Sequence, residues 1–150
     1  MSTDICTSIE QSKKLLSLGI DPNTADMWYS YYGNSKYNPT VAYKGQQWFL
    51  CQIRNSLHDD IPCWSLAALL NLLPSEFTEK GKYSETTYEI YIRKYALTEN
   101  VDLYQIAYGN YKFYEDGNTS WKDMINTGEK ENLIDAVFQM ICWLKENNKL

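Results

Sequence analysis

Thr86-Thr87-Tyr88-Glu89-Ile90-Tyr91-Ile92-Arg93-Lys94-Tyr95 alternates its side chains with a period of two. Tyr88, Ile90 and Ile92 fall on one face, and Glu89, Tyr91, Arg93 and Tyr95 on the other. That is the period of a β-strand. Downstream, Glu99-Asn100 predicts a turn and residues 102–108 a second strand. Gly109-Asn110 reads as a two-residue hairpin, residues 111–115 as a third strand, and Asp116-Gly117-Asn118 as the closing turn. Residues 83–115 are therefore expected to form a three-stranded antiparallel meander.

Helices flank this sheet. Over residues 129–147, Leu133, Ile134, Val137, Phe138, Met140, Ile141 and Leu144 form a broad apolar stripe at helical spacing. Glu129 and Glu131 stand at its start and Lys145 and Lys149 near its end, matching the helix dipole. This long C-terminal helix is expected to pack across the sheet, with Cys142 as a small core residue. Near the N-terminus, Thr7 and Glu10 form a T-x-x-E capping box ahead of Leu15, Leu16 and Leu18, and Gly19 supplies the stop. Asp21-Pro22-Asn23 forbids continuation. Residues 27–32 are aromatic and read as a strand ending at Gly33-Asn34. Residues 41–43 and 46–53 suggest two short strands about Lys44-Gly45, with a helix as the alternative for 46–54. Ile61-Pro62-Cys63-Trp64-Ser65 is expected to open a short helix, with Pro62 in the first turn, Asp59 and Asp60 just before it and Pro74 at the exit. The expected class is α+β: an antiparallel sheet including the meander, packed by a long C-terminal helix and two shorter helices. At 150 residues the chain is expected to be one domain, 1–150.

Composition narrows the function. Lys plus Arg is 14 and Asp plus Glu is 19, a net charge of −5. Direct nucleic-acid binding needs a basic excess to neutralise phosphates, which this chain lacks. No signal peptide or bilayer-spanning stretch is expected, so the expected location is the cytosol. There Cys6, Cys51, Cys63 and Cys142 are expected as reduced thiols. Their spacings match no zinc module, and one histidine excludes a His-rich metal site. No metal and no cofactor is expected.

Catalytic motifs are absent: there is no P-loop, GxGxxG, HExxH or GxSxG. The single constellation that invites a mechanism is His58, Asp59, Asp60 and Cys63. Cys63 in the first turn of a helix would have a lowered pKa, and His58 could serve as its base. Two adjacent carboxylates oppose that activation. A cysteine-dependent enzyme is therefore the third-ranked reading.

Aromatic residues make up 15% of the chain, with 13 tyrosines. Trp28, Tyr29, Tyr31, Tyr32 and Tyr37 lie close together about a turn. A platform of such rings could stack on a nucleotide-like small molecule, with Lys36, Lys44 and Arg54 at its phosphates. Tyrosines on sheet faces equally suit a protein contact or a homodimer.

Several segments together resemble a known group. They are residues 7–16, Thr24-Ala25-Asp26-Met27 with an aromatic at 28, Ile61-Pro62-Cys63-Trp64-Ser65-Leu66 with Leu72-Leu73-Pro74, and Leu133-Ile134-Asp135-Ala136-Val137-Phe138 with Trp143-Leu144. The chain resembles small proteins of Bacteroidetes phages and mobile elements, a group with no activity to carry over. The resemblance implies a bacterial host cytosol and an accessory or counter-defence role. The leading expectation is a non-enzymatic protein that binds a host or phage protein. A nucleotide-sequestering protein is the alternative.

Overall fold

The computed structural model describes residues 5–30, 41–42, 49–51 and 60–150. They fall into two compact units, drawn from Thr3–Leu72 and from Leu73–Leu150. The class is α+β, with antiparallel sheets and the long C-terminal helix expected from sequence.

In the N-terminal unit, helix α1 spans Ile9–Ser17. Its capping box lies one residue beyond the expected one. Ser8 Oγ accepts from the Gln11 amide at 3.1 Å, and the Ser8 amide donates to Gln11 Oε1 at 2.9 Å. Thr7 is not the cap because its hydroxyl is engaged elsewhere: it accepts from the Trp64 amide at 3.0 Å and shares a 2.8 Å hydrogen bond with Ser12. Gly19 ends the helix with φ +81°, in the left-handed region that glycine adopts without strain.

Four short strands follow: β1 Met27–Ser30, β2 Val41–Ala42, β3 Phe49–Cys51 and β4 Ile61–Cys63. They form an antiparallel sheet in the order β2-β3-β1-β4. Phe49–Cys51 is thus strand, not helix. Ile61–Cys63 is also strand, which corrects the helix expected there. Pro62 sits opposite Trp28 in β4, an edge strand, where a missing amide donor is tolerated. Helix α2 begins only at Leu66 and runs to Leu72. Ser65 caps it, accepting from the Ala68 amide at 3.2 Å. Cys6, Ile9, Tyr29, Leu50 and Cys63 form this unit's buried cluster, flanked by Met27 and Ile61.

The C-terminal unit holds β5 Glu76–Lys80, β6 Glu85–Thr98, β7 Val101–Phe113, β8 Thr119–Asn126 and α3 Leu133–Glu146. The four strands form an antiparallel meander in chain order. Gly109-Asn110 is not a hairpin. It lies inside β7, with Gly109 paired to Glu89 on one side and Asp123 on the other. A Cβ at Gly109 would overlap the Lys122 carbonyl and come within 2.9 Å of the Trp121 ring, so glycine serves here for close approach rather than for turning. The chain reverses at Gly117, φ +84°, where the Gly117 amide donates to Tyr114 O at 3.0 Å.

Helix α3 starts four residues later than expected. Asn132 caps it, its side chain accepting from the Ile134 amide at 2.8 Å. Lys130 instead exchanges backbone bonds of 2.7 and 2.9 Å with Tyr104 of β7. The helix buries Ile134, Ala136, Val137, Met140, Ile141 and Leu144, while Cys142 is only half-buried. It packs on β7. Phe77 lies 5.1 Å from the Tyr108 ring and 6.2 Å from the Trp143 ring, which marks the covered face of the sheet. Ile90 and Ile92 pair with Tyr108 and Ile106 on that face. By alternation Glu89, Tyr91, Arg93 and Tyr95 point away from α3, as their sequence pattern indicates. No helix among the described residues is long and apolar enough to cross a membrane.

Candidate functional site

Of the aromatic cluster expected about residues 28–37, only Trp28 and Tyr29 lie among the described residues. Trp28 is half-buried in the ladder between Cys51 and Pro62. Tyr29 is enclosed in the core and donates its hydroxyl to the Thr7 carbonyl at 2.8 Å, so it offers no ring to a ligand. Tyr31, Tyr32, Lys36, Tyr37, Lys44 and Arg54 lie outside the described residues.

Cys63 is fully buried in β4 rather than placed at a helix start, which removes the dipole argument for an activated thiol. A hydrogen bond with Cys6, burial, and the nearby Cys6, Asp26 and Cys51 all push its pKa up. Burial, then the Asp60 carboxylate, does the same to Cys51. Protonated, enclosed thiols are poor nucleophiles. His58 and Asp59 lie outside the described residues. No group of His, Cys, Asp and Glu among the described residues is arranged to hold a metal ion.

A different cluster stands on the face of the C-terminal sheet turned away from α3. The register places Tyr91 opposite Ala107 and puts Gly109 beside Asp123. Strands two apart are separated by about 10 Å. Because Ala107 and Gly109 are small, side chains from β6 and β8 meet above β7. Arg93 clamps Asp123 with both terminal guanidinium nitrogens, at 2.8 and 2.7 Å, and Nη1 also donates to Gln105 at 2.8 Å. Trp121 Nε1 donates to Asp123 at 2.6 Å, and Asn126 does so at 3.3 Å. The Arg93 guanidinium lies 5.0 Å over the Tyr91 ring, an added cation–π contact. Tyr91 packs on Trp121 at 5.6 Å, and Tyr111 meets Trp121 edge-on at 5.3 Å.

The electrostatics are those of a closed pair. Hydrogen bonding from Arg93, above all, holds the Asp123 carboxyl below its ordinary range, aided by Trp121 and Asn126. Asp123 in turn raises the Arg93 pKa. A two-point Arg–carboxylate pair is short, strong and directional. It also occupies both of its members. The guanidinium is committed to Asp123 and Gln105, and the carboxylate accepts from three side chains. The pair therefore holds the rings in place. Around it Tyr91, Tyr95, Tyr111 and Phe113 are 48%, 42%, 56% and 82% exposed.

The outward row of Tyr91, Arg93 and Tyr95 was readable from sequence, but its partners Trp121 and Asp123 were not. Residues 119–126 carry no regular alternation, because a register shift between Tyr108 and Gly109 leaves Met124 as an extra residue in β8. Comparison with known protein families, curated proteins and solved structures finds no match.

Proposed function

We propose that this chain is a non-enzymatic protein-binding factor and that the Tyr91–Trp121–Tyr111 face is its contact surface. The observation that carries this reading is the Arg93–Asp123 clamp. It fixes exposed aromatic rings in place, and its own guanidinium and carboxylate are committed to each other. Tyr, Trp and Arg dominate binding hot spots, and rings already ordered lose little freedom on association. A nucleotide-sequestering role draws no support from this face, because the guanidinium that would meet a phosphate is already bound.

In the setting the resemblance implies, the partner is a host or phage protein met in the bacterial cytosol, and the role is that of an accessory or counter-defence factor. The test is affinity capture from host cells with Tyr91→Ala and Tyr111→Ala beside the unaltered chain, scored by quantitative mass spectrometry. A defined partner lost from both variants, with melting curves unchanged, is the expected result. Folded variants that keep the partner, or a bound small molecule in place of a protein, overturn this reading.

A further inference from the structure

Two thiols of the N-terminal unit occupy one side of its sheet. Met27 pairs with Cys63, and Tyr29 with Leu50 and Ile61, so these residues share a face. Cys51 pairs with Trp28 and belongs to the opposite face. The segment ahead of α1 runs alongside β4. Cys6 is bridged to Ser65, the Thr7 amide donates to the Trp64 carbonyl at 2.9 Å, and the Trp64 amide returns a bond to Thr7 Oγ1. Cys6 is therefore diagonal to Cys63 on the same face. Both belong to one buried cluster, and their thiols are hydrogen-bonded to each other. Cys6 Sγ also lies 3.4 Å from the Tyr29 hydroxyl. Cys142 is in the other unit.

We propose that Cys6 and Cys63 form an oxidisable dithiol that closes to a disulfide by exchange with a small disulfide such as oxidised glutathione, stapling the segment before α1 to β4. Cys6 is the entering sulfur. It is 5% exposed and follows the exposed Ile5, whereas Cys63 is fully enclosed. The Cys6 thiolate attacks the small disulfide and expels one thiolate. The Cys63 thiolate then attacks the Cys6 sulfur of the mixed disulfide and expels the second. The two protein thiols are oxidised, the small disulfide is reduced to two thiols, and those leaving groups carry off both protons. Because both sulfurs are covered, exchange proceeds through local opening of residues 5–8 and is slow. Once closed, the bond ties positions far apart in sequence, which restricts the unfolded chain.

The experiment holds the native full chain with oxidised glutathione, quenches with N-ethylmaleimide and maps the peptides. The expected result is a mass loss of about 2 Da for one new S–S bond, a Cys6–Cys63 peptide pair, and a raised melting temperature that dithiothreitol reverses. Cys51→Ala retains the link, and Cys6→Ala abolishes it. Native protein that stays unreacted, carries only glutathione adducts, or links through Cys142 overturns the proposal. So does loss of the Cys6–Cys63 pair in folded Cys51→Ala.

Discussion

Asp26 holds Ser65 at two points: one carboxylate oxygen accepts from the Ser65 amide at 2.8 Å and the other from its hydroxyl. Ser65 in turn caps α2 through the Ala68 amide. Beside this pair, Trp64 Nε1 donates to Thr24 Oγ1 at 2.9 Å. Residues 24–27 and 61–66, far apart in sequence, are therefore one structural joint.

Asp26→Ala removes both acceptors while Ser65 remains. The joint is at the surface, so the loss is that of a helix cap, about 1 kcal/mol. Asp26→Asn keeps one acceptor for the Ser65 amide and is expected to lose less. Urea midpoints of the three proteins rank them; equal midpoints would remove the joint from the list of stabilising features.

Gly109→Ala separates close approach from backbone freedom. A glycine replaced by alanine at an unstrained site usually gains stability, because the unfolded chain has fewer states. Here the new Cβ would meet the Lys122 carbonyl and the Trp121 ring. The expected change is a loss of about 1–3 kcal/mol, with altered tryptophan fluorescence as Trp121 leaves Tyr91. A stabilised Gly109→Ala protein would show that Trp121 does not pack closely over position 109.

The Arg93–Asp123 clamp has a defined pH signature. The Asp123 pKa is lower folded than its ordinary 3.8. Between those two values the unfolded chain binds more protons, so stability rises with pH there. The clamp's contribution is fully present above about pH 3.8 and is lost as the pH falls through the lowered folded value. Arg93 stays charged throughout. Thermal melts from pH 6 down to 2 are expected to show a shallower acid decline for Asp123→Asn than for the unaltered chain. Parallel declines would assign the acid sensitivity to other carboxylates.

Thiol reactivity follows enclosure. Under reducing conditions near pH 8, iodoacetamide is expected to label half-buried Cys142 well before Cys63 and Cys51, whose thiols are covered and raised in pKa. Timed mass spectrometry of the peptides gives the order. Cys63 labelled first would restore the case for an activated cysteine.

Much of this architecture was legible because it rests on strong periodic signals. The α3 stripe and the alternation of β6 each repeat over many residues, and each was read correctly as to type and facing. The failures share a cause: local signals outvoted by distant partners. Pro62 and the carboxylates before it look like a helix start, yet β1 captures Ile61–Cys63 as an edge strand. Gly109-Asn110 looks like a turn, yet pairing on both sides keeps β7 straight. Thr7 satisfies the capping pattern as well as Ser8 does, and only the Trp64 amide decides between them. Half of the candidate site was visible as the outward row of β6. The other half depended on which residues of β8 face outward, and that is a property of pairing rather than of composition.

Met124 has a consequence of its own. Ile125 pairs with Tyr108 and Asp123 with Gly109, so two neighbouring rungs on β7 span three residues on β8. Met124 is a surplus beat in an otherwise two-step rhythm. In a regular strand, removing one residue inverts every side chain beyond the cut. Here the inversion is already built in, and removing Met124 would cancel it. Asp123 would stand directly before Ile125, on the next rung and the opposite face, where each already stands. A chain lacking Met124 is therefore expected to fold with the Arg93–Asp123 clamp intact, whereas deleting Trp121 or Lys122 is expected to destroy it. An eight-residue strand that tolerates a one-residue deletion at a single point gives evolution room to change its length without exchanging its inner and outer surfaces.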